Sequence, residues 1–413
     1  MTGEIELRVD ELLLEQGEYV PLELLLQEAR LDYADYEAWR NGEIDRLDEA
    51  LFGDPQQVCD LLRHAARYLE RRGWQAVDMP YARWGTGDTD DAGGALRFSA
   101  SDALDELFRR TYRKPEDLPQ MDLFTDSPAT ALCNGIIEAV LSRDITTARR
   151  RLDRLTDMAP DDTRLGDLDV LTAALQELEQ EPTDVAQALS QLQHTLVPAV
   201  ERLLGIAASR QYLVPHWRRL SRALEETPFS NEAPRLHASY TAARALDWTG
   251  ARDAIEHEQH WRSYPILLQR HAEACDRQRD PAGWWSWFTL LWWHPGNEDA
   301  LDNSHPELRQ LWEAFQTIEP EMPVRSFPSW ALLQRPGLAH LADNPRCNMD
   351  EAPADFATLL ALISLRRQSA DGGPREMTLR AQLQGQNAEL LRHFLMAAGN
   401  MAMGKQATAP RHA

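Results

Sequence analysis

Arg150–Pro160 reads RRLDRLTDMAP and Arg218–Pro228 reads RRLSRALEETP, and the two stretches align without a gap. Each places a proline eight residues after its leucine, Leu152 to Pro160 and Leu220 to Pro228, at an offset of 68 residues. Phe288–Pro295 (FTLLWWHP) is a looser third copy, one residue shorter. The segments upstream fit helix pairs. Leu132–Leu141, with Gly135 inside it, precedes Arg143-Asp144, and Ala148 stands early in the next helix. Ile266–Cys275 precedes Arg279-Asp280 and then Trp284. From about residue 127 the pattern is helix throughout, each helix closed by a proline or a short polar turn.

The offset of 68 residues is twice the ~34-residue tetratricopeptide period. Gly135 in the first helix, Ala148 early in the second, Leu152 four residues later and the terminal Pro160 complete the pattern. Residues 128–312 therefore resemble a degenerate tetratricopeptide-like helical array, with the matched positions between 128 and 300. Two departures stand out. Ala131 and Glu138 replace the signature's Trp and Tyr around Gly135, and the turn is one residue longer. The resemblance implies helix pairs that bury one face only by stacking on their neighbours, and a protein-binding role. An irregular helical bundle is the alternative.

Working outward, residues 1–115 read as a small, acidic, mostly helical module. The first fifty residues hold fifteen acids against four arginines, either a solvated face or a patch for a basic partner. A helix is predicted over Leu22–Arg30, and a stronger one over Pro55–Arg72, ended by Gly73. Trp74–Trp84 and Ala95–Ser99 predict a short β-hairpin, followed by a helix from Ser101 to Tyr112. Residues 116–127, rich in proline, form an extended connector. Residues 313–398 are loop-rich, with helices over Ala354–Arg367 and Met377–Met396, and 399–413 lack an apolar period and are expected to be a disordered tail. The fold class is mainly α.

Composition narrows the function. The 413 residues allow two or three domains, and 43% hydrophobic with 26% charged residues is globular. A formal charge of −23 repels phosphate, so direct nucleic-acid contact and membrane-surface binding are not expected. The densest apolar run, Trp284–Trp293, has ten residues, short of the ~20 that a spanning helix needs. The opening MTGEIELRVDELLLEQ lacks a basic then apolar signal pattern, so the cytoplasm is the expected location. Cys59, Cys133, Cys275 and Cys347 lie too far apart for a zinc motif or a disulfide framework. His257, Glu258 and His260 miss the H-E-x-x-H metal spacing by one position and read as a polar helix face. No motif for a catalytic nucleophile, phosphate loop or dinucleotide site occurs, so no catalytic residue, cofactor or metal is assigned.

Two features bear on partners. Trp284, Trp285, Trp287, Trp292 and Trp293 cover every side of one helix, which predicts a central position rather than a surface one. In the connector, Gln120-Met121-Asp122-Leu123-Phe124 resembles the pentapeptide with which bacterial replication and repair proteins dock on the DNA sliding clamp. That resemblance implies a Leu123-Phe124 pair in an apolar pocket and a hydrogen-bonding Gln120. The same pair read as core would pin the connector to the helices. The reading reached is a cytoplasmic protein-interaction adaptor or scaffold, which predicts an exposed groove with an apolar floor. The alternative is a replication or repair accessory factor docked on the clamp through Gln120–Phe124. An enzyme with a site assembled from scattered helix residues is the remaining rival.

Overall fold

The chain is helical from Thr2 onward in a computed structural model, which describes residues 2–28, 30–85, 96–113, 128–178, 180–368 and 373–407. The fold is mainly α with one two-stranded antiparallel sheet, and it divides into two units, residues 1–254 and 255–413.

The first unit opens with α1 (Thr2–Gln16), α2 (Pro21–Gln27) and α3 (Tyr33–Asn41). Next comes α4 (Pro55–Arg71), where Asp54 accepts from the Gln56 N–H at 3.0 Å and Pro55 occupies the first turn. Its Val58, Leu61, Leu62, Ala65, Ala66 and Leu69 are buried on one face, as their spacing predicts. The sheet pairs β1 (Gln75–Asp78) with β2 (Arg110–Arg113), which follows α5 (Asp102–Arg109). The second strand is thus Arg110–Arg113, where a helix end was expected, and not Ala95–Ser99. The buried Asp105 carboxylate takes the Phe98 N–H at 2.7 Å, so that backbone serves a turn instead of a ladder. Phe98 stacks on Phe108 at 3.9 Å, in the core.

Many acids of the first fifty residues are paired inside this unit rather than presented to a partner. Glu6 meets Arg71, Asp10 meets Arg72, and Glu18 meets Arg113. Glu23, fully buried, holds Arg210 at 2.6 Å, and Glu37 holds both Arg143 and Arg218. The Arg143 guanidinium also lies 3.3 Å from the centre of the Trp84 ring, and burial pulls its pKa down to about 10. Glu23, Glu37, Arg143 and Arg218 are largely removed from water, which is tolerable only because each has an opposite partner.

The helices α6 (Pro128–Leu141), α7 (Ile145–Met158), α8 (Leu165–Glu177), α9 (Val185–Gln191), α10 (Val197–Ala223), α11 (Ala238–Arg244) and α12 (Trp248–Glu256) follow. A π-helical turn, Leu192–Leu196, joins α9 to α10, and α10 breaks at Gly205, whose φ of 68° suits glycine. Leu152 on α7 and Leu220 on α10 are buried at 3% and 2% exposure, and Pro160 and Pro228 each come after their helix. The two contexts differ: α7 folds back on the preceding α6, whereas α10 packs on the following α11.

One turn recurs. Arg143, Leu246 and Arg279 adopt φ of 57°, 59° and 57°, and each is followed by an aspartate. The N–H of Asp144, Asp247 and Asp280 returns to the carbonyl of Ala139, Ala242 and Cys275 at 2.8, 2.9 and 2.8 Å. This is the left-handed helix stop with a six-to-one bond. Each aspartate then caps the next helix, accepting from Thr147, Gly250 and Ala282 N–H groups at 2.9, 2.8 and 2.9 Å. The three aspartates stand 103 and then 33 residues apart, close to three and one multiples of ~34.

The second unit contains α13 (Pro265–Arg277), α14 (Ala282–Trp293), α15 (Pro306–Gln316), α16 (Phe327–Gln334), α17 (Ala354–Gln368), α18 (Gly373–Gln386) and α19 (Ala388–Ala407). Its core is α14: Trp285, Trp287, Phe288, Leu290, Leu291 and Trp292 are buried, and rings of Phe327 and Phe356 close around them. A side chain at Gly283 would strike the Asp276 carboxylate and the Ala272 carbonyl, so glycine lets α13 and α14 approach. The helix expected over Met377–Met396 is two helices, because Asn387 bonds Ser326 and Asp355 through its side chain and caps α19. α19 continues past residue 398 into the stretch expected as a tail, where Ala, Met, Gln and Lys favour helix without any apolar period. Among the described residues no helix is long and apolar enough to cross a membrane.

Candidate functional site

A groove of about 640 Å³ opens on the second unit. Its wall begins where α12 stops at Glu256, so His257, Glu258 and His260 do not share the helical face that their spacing suggested. His260 turns the chain with a φ of 56°, and a single 3-10 turn, Trp261–Ser263, leads to Pro265 and α13. The opposite wall comes from the last turn of α14, which supplies Thr289 and Trp293, from His294, and from Glu351 on another 3-10 turn.

The two tryptophans of the groove are unlike. Trp261 is 6% exposed, stacks on His271 at 4.5 Å, and has the Arg262 guanidinium 4.4 Å from its ring centre. Trp293 is 55% exposed, yet its indole N–H donates to the Glu351 carbonyl at 3.1 Å. The ring is held in place while much of its surface meets water. Arg262 faces Glu351 at 3.5 Å and donates to the Arg346 carbonyl at 3.1 Å. His294 Nε2 donates to the Arg262 carbonyl at 3.0 Å, which locks the turn from behind.

Behind the groove a polar chain runs from exposed Arg346 inward to buried His271 and Ser286. Glu256 receives His271 Nε2 at 3.1 Å and Arg346 Nε at 3.2 Å, while Arg346 Nη1 reaches Asp280 at 3.3 Å. Ser286 Oγ stands 2.8 Å from His271 Nδ1, and the Cys275 sulfur lies 3.6 Å from the same atom. Burial lowers the His271 pKa against the opposing pull of Glu256, which favours the neutral ring. The consistent tautomer donates from Nε2 to the carboxylate and accepts the Ser286 hydroxyl at Nδ1.

Carboxylate, imidazole and hydroxyl are the residue types of an acyl-transfer triad, but the geometry does not serve that chemistry. Ser286 and His271 are each 2% exposed, and Ser286 sits in the middle of α14. Backbone N–H groups in mid-helix are already bonded, so none is free to hold an oxyanion. The chain instead satisfies buried polar groups and fixes Glu256 at the groove edge. Nearby, burial raises the Asp276 carboxyl to about 7 and the Cys347 thiol to about 12. Among the described residues no group of three His, Cys, Asp or Glu side chains could hold a metal ion.

Comparison with protein-family models, with curated proteins and with solved structures finds no match. Function therefore rests on the groove and its chemistry. The candidate docking residues Gln120, Met121, Asp122, Leu123 and Phe124 lie outside the described residues. Sequence reading did not single out Trp261, Arg262 or Glu351, and it placed Trp293 with the central tryptophans of α14, whereas at the last helical position its ring is 55% exposed. A signal existed for one of them: Pro295 ends α14, so Trp293 occupies a last turn with no helix beyond it.

Proposed function

We propose that this chain is a protein-interaction adaptor built from helical hairpins, and that the groove of its second unit receives an extended segment of a partner protein. Trp293 carries the reading. A large indole, more than half exposed and pinned by its own hydrogen bond, forgoes a good part of the roughly 1.5–3 kcal/mol that full burial of a large apolar side chain brings. The pinned ring loses little freedom when a partner covers it, which is the property of an interface anchor. The recurring αL–Asp turn, at intervals near multiples of ~34 residues, supports the hairpin-array side of the proposal.

A displayed library of random linear peptides, panned against the intact protein, tests it. Enriched peptides are then titrated calorimetrically against wild type and Trp293→Ala. The expected result is enrichment, with affinity weakened by about tenfold or more in the variant at unchanged melting temperature. No enrichment, or equal binding by Trp293→Ala, rejects docking at this groove.

A further inference from the structure

We infer that the segment taken by the groove is basic, with a lysine or arginine side chain laid on the Trp293 indole and its charge turned toward the groove carboxylates. The inference rests on the docking reading above and names the chemistry of the occupant.

Charge complementarity argues for it. Glu256, Glu258 and Glu351 line the groove, against one guanidinium, that of Arg262. That guanidinium is already committed, lying over Trp261 and facing Glu351. Arg346 does not tip the balance, because Asp280 offsets it beside Glu256. The groove is therefore negative in a chain of formal charge −23, a field that draws cations in and turns anions away. The aromatic surface points the same way. Indole is the strongest of the side-chain rings for holding a cation over its face. The Arg262 guanidinium, 4.4 Å from the Trp261 ring centre, is the same contact made within the chain. Trp293 offers a second such ring with its surface in water.

Peptides enriched by the panning experiment are resynthesised with each Lys or Arg changed to Gln, and titrated against wild type and Glu258→Lys. Three results are expected. The selected sequences carry an excess of Lys and Arg; the Gln versions bind about tenfold or more weakly; and Glu258→Lys weakens the parent peptide without changing the melting temperature. Raising ionic strength to about 1 M, where the Debye length is about 3 Å, reduces affinity as well. Enriched peptides that depend on Trp293 but show no basic excess, or that tolerate the Gln changes, overturn this inference and leave docking intact. A panning that enriches nothing overturns both.

Discussion

In the α6–α7 hairpin the chain passes from Ser142 through a left-handed Arg143 into the capping Asp144, and α7 then buries only Ala148, Leu152 and Leu155. In the α13–α14 hairpin it passes from Gln278 through a left-handed Arg279 into the capping Asp280, and α14 buries ten of its twelve residues. The helix stops match in their left-handed residue and six-to-one bond, and differ only in that the Asp144 side chain caps the third N–H after it and the Asp280 side chain the second. Yet one second helix lies on the surface of its unit and the other forms the core of its own. A local signal, a polar residue able to adopt positive φ followed by aspartate, sets where the chain reverses. What the hairpin does afterwards depends on the faces of the second helix. Arginines at 149, 150, 151 and 154 keep α7 at the surface, while tryptophans on every side of α14 require neighbours all round.

The contrast is most exposed to failure at its largest effect. Trp287 has no exposed surface, and Trp287→Ala is expected to cost about 3–5 kcal/mol. Arg154 on α7 is exposed, and Arg154→Ala should stay within about 0.5 kcal/mol. Urea unfolding, with hydrogen exchange to assign the loss to each hairpin, measures both. Comparable costs at the two positions would erase the distinction between a surface helix and a central one.

Next in size is an opposite response to pH. His216, buried on α10 with Nε2 unbonded, has its pKa lowered to about 3 by burial, then by Arg143 and Arg219. Protonation therefore favours the unfolded chain, and this unit loses stability as pH falls below the ordinary histidine value of about 6.5. Asp276 on α13 is raised to about 7, mainly by burial, although the Trp287 N–H at 2.9 Å opposes the shift. Its contribution is complete below the ordinary value near 4 and is lost as pH rises toward 7. Asp276→Asn keeps an acceptor for Trp287 and removes the charge, so it should stabilise the protein at pH about 8 by about 2–4 kcal/mol. His216→Phe should flatten the acid-side loss in the first unit. A fall in stability of Asp276→Asn at pH about 8 would reverse the assignment.

Much of the helical content was legible because it is periodic. Val58 to Leu69 repeat at helical spacing, and prolines and glycines mark the ends. Arg143-Asp144 and Arg279-Asp280 could be read as turns between helices, but the matching turn at Leu246-Asp247 carries no glycine or arginine to draw attention. Strand pairing was not legible. The partner of Gln75–Asp78 is 35 residues away, and Asp105, which diverts the Phe98 backbone, acts through a side chain that no pattern describes. The groove was hidden for a related reason. Trp293 belongs to a run whose other members are mostly core, and Glu351 reaches it from 58 residues further on. Likewise, the acids of the first fifty residues counted as surface charge, whereas Glu23 and Glu37 find their arginines at 210, 143 and 218. Contacts of such separation are properties of the fold.

The shared caps make a smaller, sharper comparison. Asp144→Ala removes the acceptor for the Thr147 N–H and should cost about 1 kcal/mol. Asp280→Ala removes the equivalent bond to Ala282 and also the charge opposite Arg346, so its cost should exceed that of Asp144→Ala. Equal losses in thermal unfolding would mean that the Arg346 pair adds nothing measurable.

The smallest effect is a difference between two left-handed arginines. Arg279 is exposed and holds a φ of 57°, a conformation that costs an ordinary L-residue about 1–2 kcal/mol and glycine almost nothing. Glycine loses more conformational freedom on folding, which takes back about 0.5–1 kcal/mol. The exchange therefore returns about 0.5 kcal/mol in Arg279→Gly, set against what the Arg279 side chain contributes, so its melting temperature should fall less than that of Arg143→Gly. At the same turn position Arg143 has the same strain, but its guanidinium covers Trp84 and pairs with Glu37. There the substitution removes a buried cation from its partners, and a net loss is expected. A smaller loss at 279 than at 143 would show that the turn is common to both hairpins and the contribution of its side chain is not. Equal losses would mean that the Arg279 side chain contributes as much as that of Arg143, and that the two hairpins resemble each other more closely than their second helices suggest.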